Sequence, residues 1–168
     1  MSTKNTTVFI TGANKGIGFE TAKQLAQKGY YVYMGSSDKF NGLRALQELR
    51  SLGITNIDLI EIDVANVDSV ASARKELESR IQQLDLLINN AGIAGQQPQN
   101  MVSGDMENLR NVFDTNFFGA VQTTQQLLPL LKKSGEPRII NVTSGLASLT
   151  FQSSEYYNNP NSSLYDAY

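Results

Sequence analysis

The run TGANKGIG, residues 11–18, puts three glycines into eight positions. Glycine lets a backbone approach a ligand with no side chain in the way. The run follows an apolar segment, Thr7–Ile10, and opens a helical pattern near Gly16. The free amides of a first helical turn carry partial positive charge and suit a pyrophosphate. Strand, glycine loop and helix in that order are what a dinucleotide site requires. The plainer alternative is a strand-to-helix turn with no ligand.

Acid–base chemistry has few sources in this chain. There is no histidine and no cysteine. That excludes Ser-His nucleophile pairs, disulfides and metals held by imidazole or thiolate, and no metal site is expected. Tyr, Lys, Asp and Glu remain. Asn116 is a further polar outlier, in helical phase with Phe113, Phe117 and Ala120. That phase predicts a buried amide, which must be hydrogen-bonded. It either bonds a neighbouring carbonyl or holds a water or a catalytic group.

The 168 residues suffice for one domain with a hydrophobic core, here taken as 1–168. Hydrophobic residues are 40% and charged residues 18%, with a net charge of −2, and no basic run of five occurs. No nucleic-acid surface or polybasic membrane patch is expected. The start, MSTKNTT, has no apolar signal core. No apolar run reaches the roughly 18 residues of a membrane span. The cytoplasm is the simplest location.

Periodicity supplies the elements that must position these groups. Strands are expected at Thr7–Thr11, Tyr30–Gly35, Ile57–Ile62, Asp85–Asn89 and Arg138–Val142. Helices are expected over 16–29, 39–52, 67–83 and about 105–133. Their apolar faces read as Gly18, Ala22, Leu25 and Ala26; then Phe40, Leu43, Leu46 and Leu49; then Val67, Val70, Leu77 and Ile81. The long helix reads as buried along Met106, Leu109, Phe113, Phe117, Val121, Thr124, Leu128 and Leu131. Asn66 is a candidate N-cap and Gly29 a helix stop. Strands alternating with helices imply a parallel, doubly wound α/β sheet, ordered 3-2-1-4-5. Ligands then sit beyond the strands' carboxyl ends, at the switch between strands 1 and 4. Gly12, Gly16 and Gly18, Asp63 and Val64, Asn89 to Gly92, and Thr143 and Ser144 all fall at that edge.

With those pieces in place, the chain resembles the short-chain dehydrogenase/reductase family over essentially its whole length. The matching pieces are TGANKGIG at 11–18, DV at 63–64, NNAG at 89–92, the asparagine of TNFFG at 115–119 and IINVTS at 139–144. The resemblance implies a Rossmann-type fold that binds NAD(P). It implies cofactor contacts at Gly12, Asn14, Lys15, Gly16, Ile17, Gly18, Ser37, Asp63, Val64, Asn90, Ala91 and Gly92. It also implies a catalytic Asn, Ser, Tyr and Lys, of which Asn116 and Ser144 match the first two. Ser144 and the tyrosine hydroxyl would hold a substrate carbonyl, and the tyrosine would pass the proton.

The family writes the last two residues as Tyr-x-x-x-Lys. None of the seven tyrosines is followed by lysine at that spacing. Tyr157 lies 13 residues after Ser144, in a polar stretch. Tyr168 lies 24 after it, in SSLYDAY, which resembles the lead-in of carbonyl-reductase-like members. Tyr168 therefore takes the catalytic place, and the lysine and the family's C-terminal strands are expected to be missing from the chain as given. Little or no reductase activity is expected of it, with strand 5 left as an exposed edge. NADP(H) is favoured over NAD(H): Ser36 stands where NAD-preferring members carry an acid, and Lys15 can face a 2′-phosphate. Ser37 lacks the basic side chain frequent in NADP-preferring members, and Asp38 would oppose the assignment if turned inward. The expected substrate is a small ketone, aldehyde or secondary alcohol. A non-catalytic dinucleotide-binding or interaction protein is the alternative, and a homo-oligomer stays open.

Overall fold

The computed structural model describes residues 6–97, 102–145, 148 and 150. In chain order the elements are β1 Thr7–Ile10, α1 Gly16–Gln27, β2 Tyr31–Ser36, α2 Lys39–Ser51, β3 Ile57–Glu61, α3 Val67–Arg80 and β4 Leu86–Asn89. A single helical rod follows, made of α4 Met106–Phe113, a π turn Asp114–Phe118 and α5 Gly119–Leu131; β5 Arg138–Asn141 closes the series. The five strands form one parallel sheet in the order β3-β2-β1-β4-β5, as the alternating pattern predicts.

Period-two alternation splits the core between the two sheet faces. Val8 and Ile10 of β1 pack with Met34, Ala22, Ala26, Leu46 and Leu49, so one layer is α1 and α2. Phe9, between them, points the other way onto Val70, Leu77, Leu127, Leu130 and Leu131 of α3 and α5. Local signals set the helix ends. Asn66 caps α3, its Oδ1 accepting from Ser69 N–H at 3.0 Å. Gly29 follows α1 with φ 90°, a conformation that favours glycine. Pro129 lies inside α5, which ends two residues later.

Two helix faces depart from the expectation. In α2 the core takes Gly42, Ala45, Leu46 and Leu49, while Phe40 and Leu43 are exposed. The Gly42 side lies so close to the sheet that a Cβ there would come within 2.7 Å of Leu59 Cδ1. Gly42 and Ala45 therefore share the packed side with the expected Leu46 and Leu49. In the long rod the buried residues are Gly119, Thr123, Leu127, Leu130 and Leu131, whereas Met106, Phe113, Phe117 and Val121 are exposed. A pattern carried at a constant 3.6-residue period from α4 cannot keep phase in α5 across a π turn, and before α5 no residue of the rod is buried among those described. β5 is exposed along its length and pairs on one side only among the described residues. No helix among those residues is long and apolar enough to cross a membrane.

Candidate functional site

The glycine loop is held by strand 4 and by β2. Thr11, buried at the end of β1, accepts on Oγ1 from Asn90 N–H and Ala91 N–H, each at 3.0 Å. In return Asn90 Nδ2 donates to the carbonyls of Thr11, at 2.9 Å, and Gly12, at 3.0 Å. Ala13 N–H adds a bond to the Gly35 carbonyl at 2.8 Å. Gly12 and Gly16 have φ of 64° and 57°, in the left-handed region. A Cβ on Gly12 would lie 2.8 Å from Ala91 Cα, and one on Gly18 would lie 2.4 Å from the Gly12 carbonyl oxygen.

A cleft of about 660 Å³ opens over this loop, at the carboxyl ends of the strands. All twelve residues expected at the cofactor line it: Gly12, Asn14, Lys15, Gly16, Ile17, Gly18, Ser37, Asp63, Val64, Asn90, Ala91 and Gly92. Asp38, Asn41, Ile62, Ile93 and Thr115 also line it and were not anticipated as lining residues. Asn41 was findable, since it stands three residues after Asp38 at the spacing of a cap and its helix. Gly12, Gly16 and Gly18 line the cleft where α1 begins. The amides of such a first helical turn fit the diphosphate of a dinucleotide.

At the β2 end of the cleft, Asp38 caps α2. Its Oδ1 accepts from Asn41 N–H at 2.9 Å and its Oδ2 from Asn41 Nδ2 at 2.6 Å. The Asn41 N–H bond leads in holding the Asp38 carboxyl below its ordinary range. Ser36 is buried, and its hydroxyl donates to the Asp38 carbonyl at 2.8 Å. At the β3 end, Asp63 Oδ1 accepts from Ala65 N–H at 3.0 Å, and Gln122 Nε2 donates to the Val64 carbonyl.

The expected catalytic residues are placed differently. Asn116 lies in the π turn and is exposed among the described residues, not buried. No residue of α4 or of the π turn is buried among those described. Its Oδ1 accepts from Ile93 N–H at 2.8 Å and its Nδ2 donates to the Ile93 carbonyl at 2.9 Å, so it bonds neighbouring main chain. Ser144 follows β5 at the same sheet edge, is exposed, and does not line the cleft. Tyr157 and Tyr168 lie outside the described residues.

The sequence model of the short chain dehydrogenase family matches residues 6–159. The chain belongs to that family. It is 43% identical over 147 residues to short-chain dehydrogenase anuI of Penicillium roqueforti, across 84% of this chain and 57% of that protein. Among solved structures, menthone neomenthol reductase from Mentha piperita superposes with a TM-score of 0.80 at 32% identity, over 91% of this chain and 65% of that one. A gluconate 5-dehydrogenase from Burkholderia cenocepacia, in complex with NADP and tartrate, gives 0.77 at 26% identity, over 86% of this chain and 55% of that one. The chain spans a little over half the length of the curated relatives it matches.

Proposed function

We propose that this chain binds NADP(H) in the cleft and serves hydride transfer between that cofactor and a small ketone or aldehyde, or the reverse from a secondary alcohol. The observation that carries this reading is the interlocked loop, in which Thr11 and Asn90 hold Gly12 and Gly18 as a cradle without side chains. The cofactor, when bound, gives or takes the hydride. The chain's own residues bind and orient it: the loop amides face the diphosphate, Asp63 and Val64 the adenine, and Asn90 to Gly92 the cofactor beside β4.

NADP(H) over NAD(H) is supported by the β2 end of the cleft. The Asp38 carboxylate, which would otherwise compete for ribose hydroxyls, is engaged by both amide groups of Asn41. Lys15 lines the cleft and supplies the positive charge for a 2′-phosphate.

For turnover, the hydroxyls of Ser144 and Tyr168 would hold the substrate oxygen, and Tyr168 would pass the proton. A tyrosine with an ordinary pKa of about 10 exchanges that proton poorly near pH 7 without a cation beside it. We expect the chain to bind the cofactor through the residues that line the cleft. Calorimetric titration with NADPH and NADH tests the reading. Binding of both, NADPH the tighter, is expected; no binding of either overturns it. Turnover of a carbonyl substrate, followed by NADPH absorbance, separates the enzyme from a purely binding role.

A further inference from the structure

Two asparagines on the helical rod grip one segment of the loop after β4. Asn116 takes both main-chain groups of Ile93, at 2.8 and 2.9 Å. Asn108 does the same to Gln96: its Oδ1 accepts from Gln96 N–H at 2.8 Å and its Nδ2 donates to the Gln96 carbonyl at 2.8 Å. A carboxamide that satisfies both main-chain groups of one residue acts as a single rung of a neighbouring strand.

Gln96 stands three residues after Ile93, and the chain between them turns at Gly95, with φ 72°. Eight residues of helix, 108 to 116, rise about 12 Å. The segment and the rod run antiparallel, since Gln96 meets Asn108 and Ile93 meets Asn116. In an unbroken α-helix, residues eight apart are about 80° out of phase. The π turn Asp114–Phe118 takes more residues per turn and so removes part of that offset before Asn116. The turn and the two asparagines form one device.

We infer that Asn108 is a positioning residue: with Asn116 it fixes segment 93–96, and through it the wall that Ile93 gives the cleft. This rests on the cleft being a dinucleotide site. β2 and β4 flank β1 on opposite sides. The adenosine end of such a site lies at β2, so the Ile93 wall stands at the nicotinamide end. The clamp acts on that half of the cofactor alone.

The test compares the chain with Asn108→Ala. The α4 cap survives this change, because Asp105 Oδ2 accepts from the main-chain N–H of Asn108, at 2.9 Å. Both proteins are titrated with NADP⁺ and with adenosine 2′,5′-bisphosphate, which lacks the nicotinamide half. Asn108→Ala is expected to weaken NADP⁺ about three- to tenfold, on the scale of one or two lost hydrogen bonds. Bisphosphate affinity should stay within about twofold by the same conversion. Asn108→Asp keeps the acceptor and loses the donor, and should recover part of the loss. Hydrogen exchange at the Ile93 and Gln96 amides should quicken together in Asn108→Ala. Unchanged NADP⁺ affinity, or equal losses for both probes, overturns the inference. If the unaltered chain binds neither probe, the dinucleotide reading fails and exchange alone decides the clamp, with unchanged protection at Ile93 refuting it.

Discussion

Gly18 and Asn90 approach so closely that a Cβ on Gly18 would lie 2.4 Å from Asn90 Nδ2. That nitrogen is the one that donates to the Thr11 and Gly12 carbonyls. The glycine loop therefore takes its shape from strand 4 as much as from its own residues. Gly18→Ala must displace Asn90 from both carbonyls. The expected loss is about 2–3 kcal/mol of unfolding free energy, from overpacking and broken bonds. Urea melts should record that loss. Titration should show NADP⁺ binding at least about tenfold weaker, and full affinity in Gly18→Ala would remove the cradle from the proposed function.

The proposed preference for NADP(H) rests on Lys15. It lines the cleft at the N-cap of α1, where its side chain makes no capping bond. Lys15→Ala should weaken NADP⁺ about tenfold, as expected for a lost charged hydrogen bond, and change NAD⁺ much less. Equal effects on both cofactors would mean that Lys15 does not face the 2′-phosphate.

One substitution at two threonines should have opposite signs. Thr11 Oγ1 accepts two main-chain N–H groups. Thr11→Val strands both and should cost about 2–4 kcal/mol.

Thr123 is fully buried in α5, and its hydroxyl has no partner among the described residues. Thr123→Val removes a desolvated polar atom at nearly constant shape. It should leave stability unchanged or raise it by about 1 kcal/mol. Thermal melts of the two variants, side by side, check the contrast.

Asp85 ties the opposite end of the sheet. It accepts from Thr7 N–H at 2.8 Å, Gln83 Nε2 at 2.6 Å and Ser134 Oγ at 2.6 Å. Burial pushes its carboxyl up, but the bonds from Ser134, Thr7 and Gln83 together outweigh that and hold it below the ordinary range. A lowered folded value means that the stabilisation is present above the unfolded value of about 3.9 and is lost as pH falls through the folded one. Asp85→Asn should lose about 1 kcal/mol at pH 7, a modest figure because the group is partly solvated. Urea midpoints should converge with those of the unaltered chain below about pH 4. A constant gap from pH 7 to pH 3 would refute the assignment.

The sheet order, the glycine loop and the Asn66 cap were all legible in the sequence, because each rests on local chemistry at fixed spacing. The strand-end residues after β1, β3 and β4 meet at one cleft for the same reason, since parallel topology puts every strand's carboxyl end on one edge, whereas Ser144 after β5 does not line it. The extent of the long rod was legible, but its π turn and buried face were not. Phe113 and Phe117 share a helical phase with Asn116, and apolar periodicity carries no mark of a π turn. Asn108 gave no signal, because its partners are the main chain of Gln96 and not a side chain that spacing could expose. Asp38 was ambiguous in sequence; in the structure its carboxylate caps α2 and the residue also lines the cleft.

The π turn also makes chain length itself a carrier of information. Deleting one residue between Asp114 and Phe118 would remove no named contact of Thr123, Leu127 or Leu130 with the sheet. It would instead act as a wrench of about 100° between the two halves of the rod. With α5 seated on β4, the whole of that rotation would fall on α4, and Asn108 would swing away from Gln96. The count of residues in that turn sets how the two halves face the sheet and the loop, while the identity of Asn116 within it fixes Ile93.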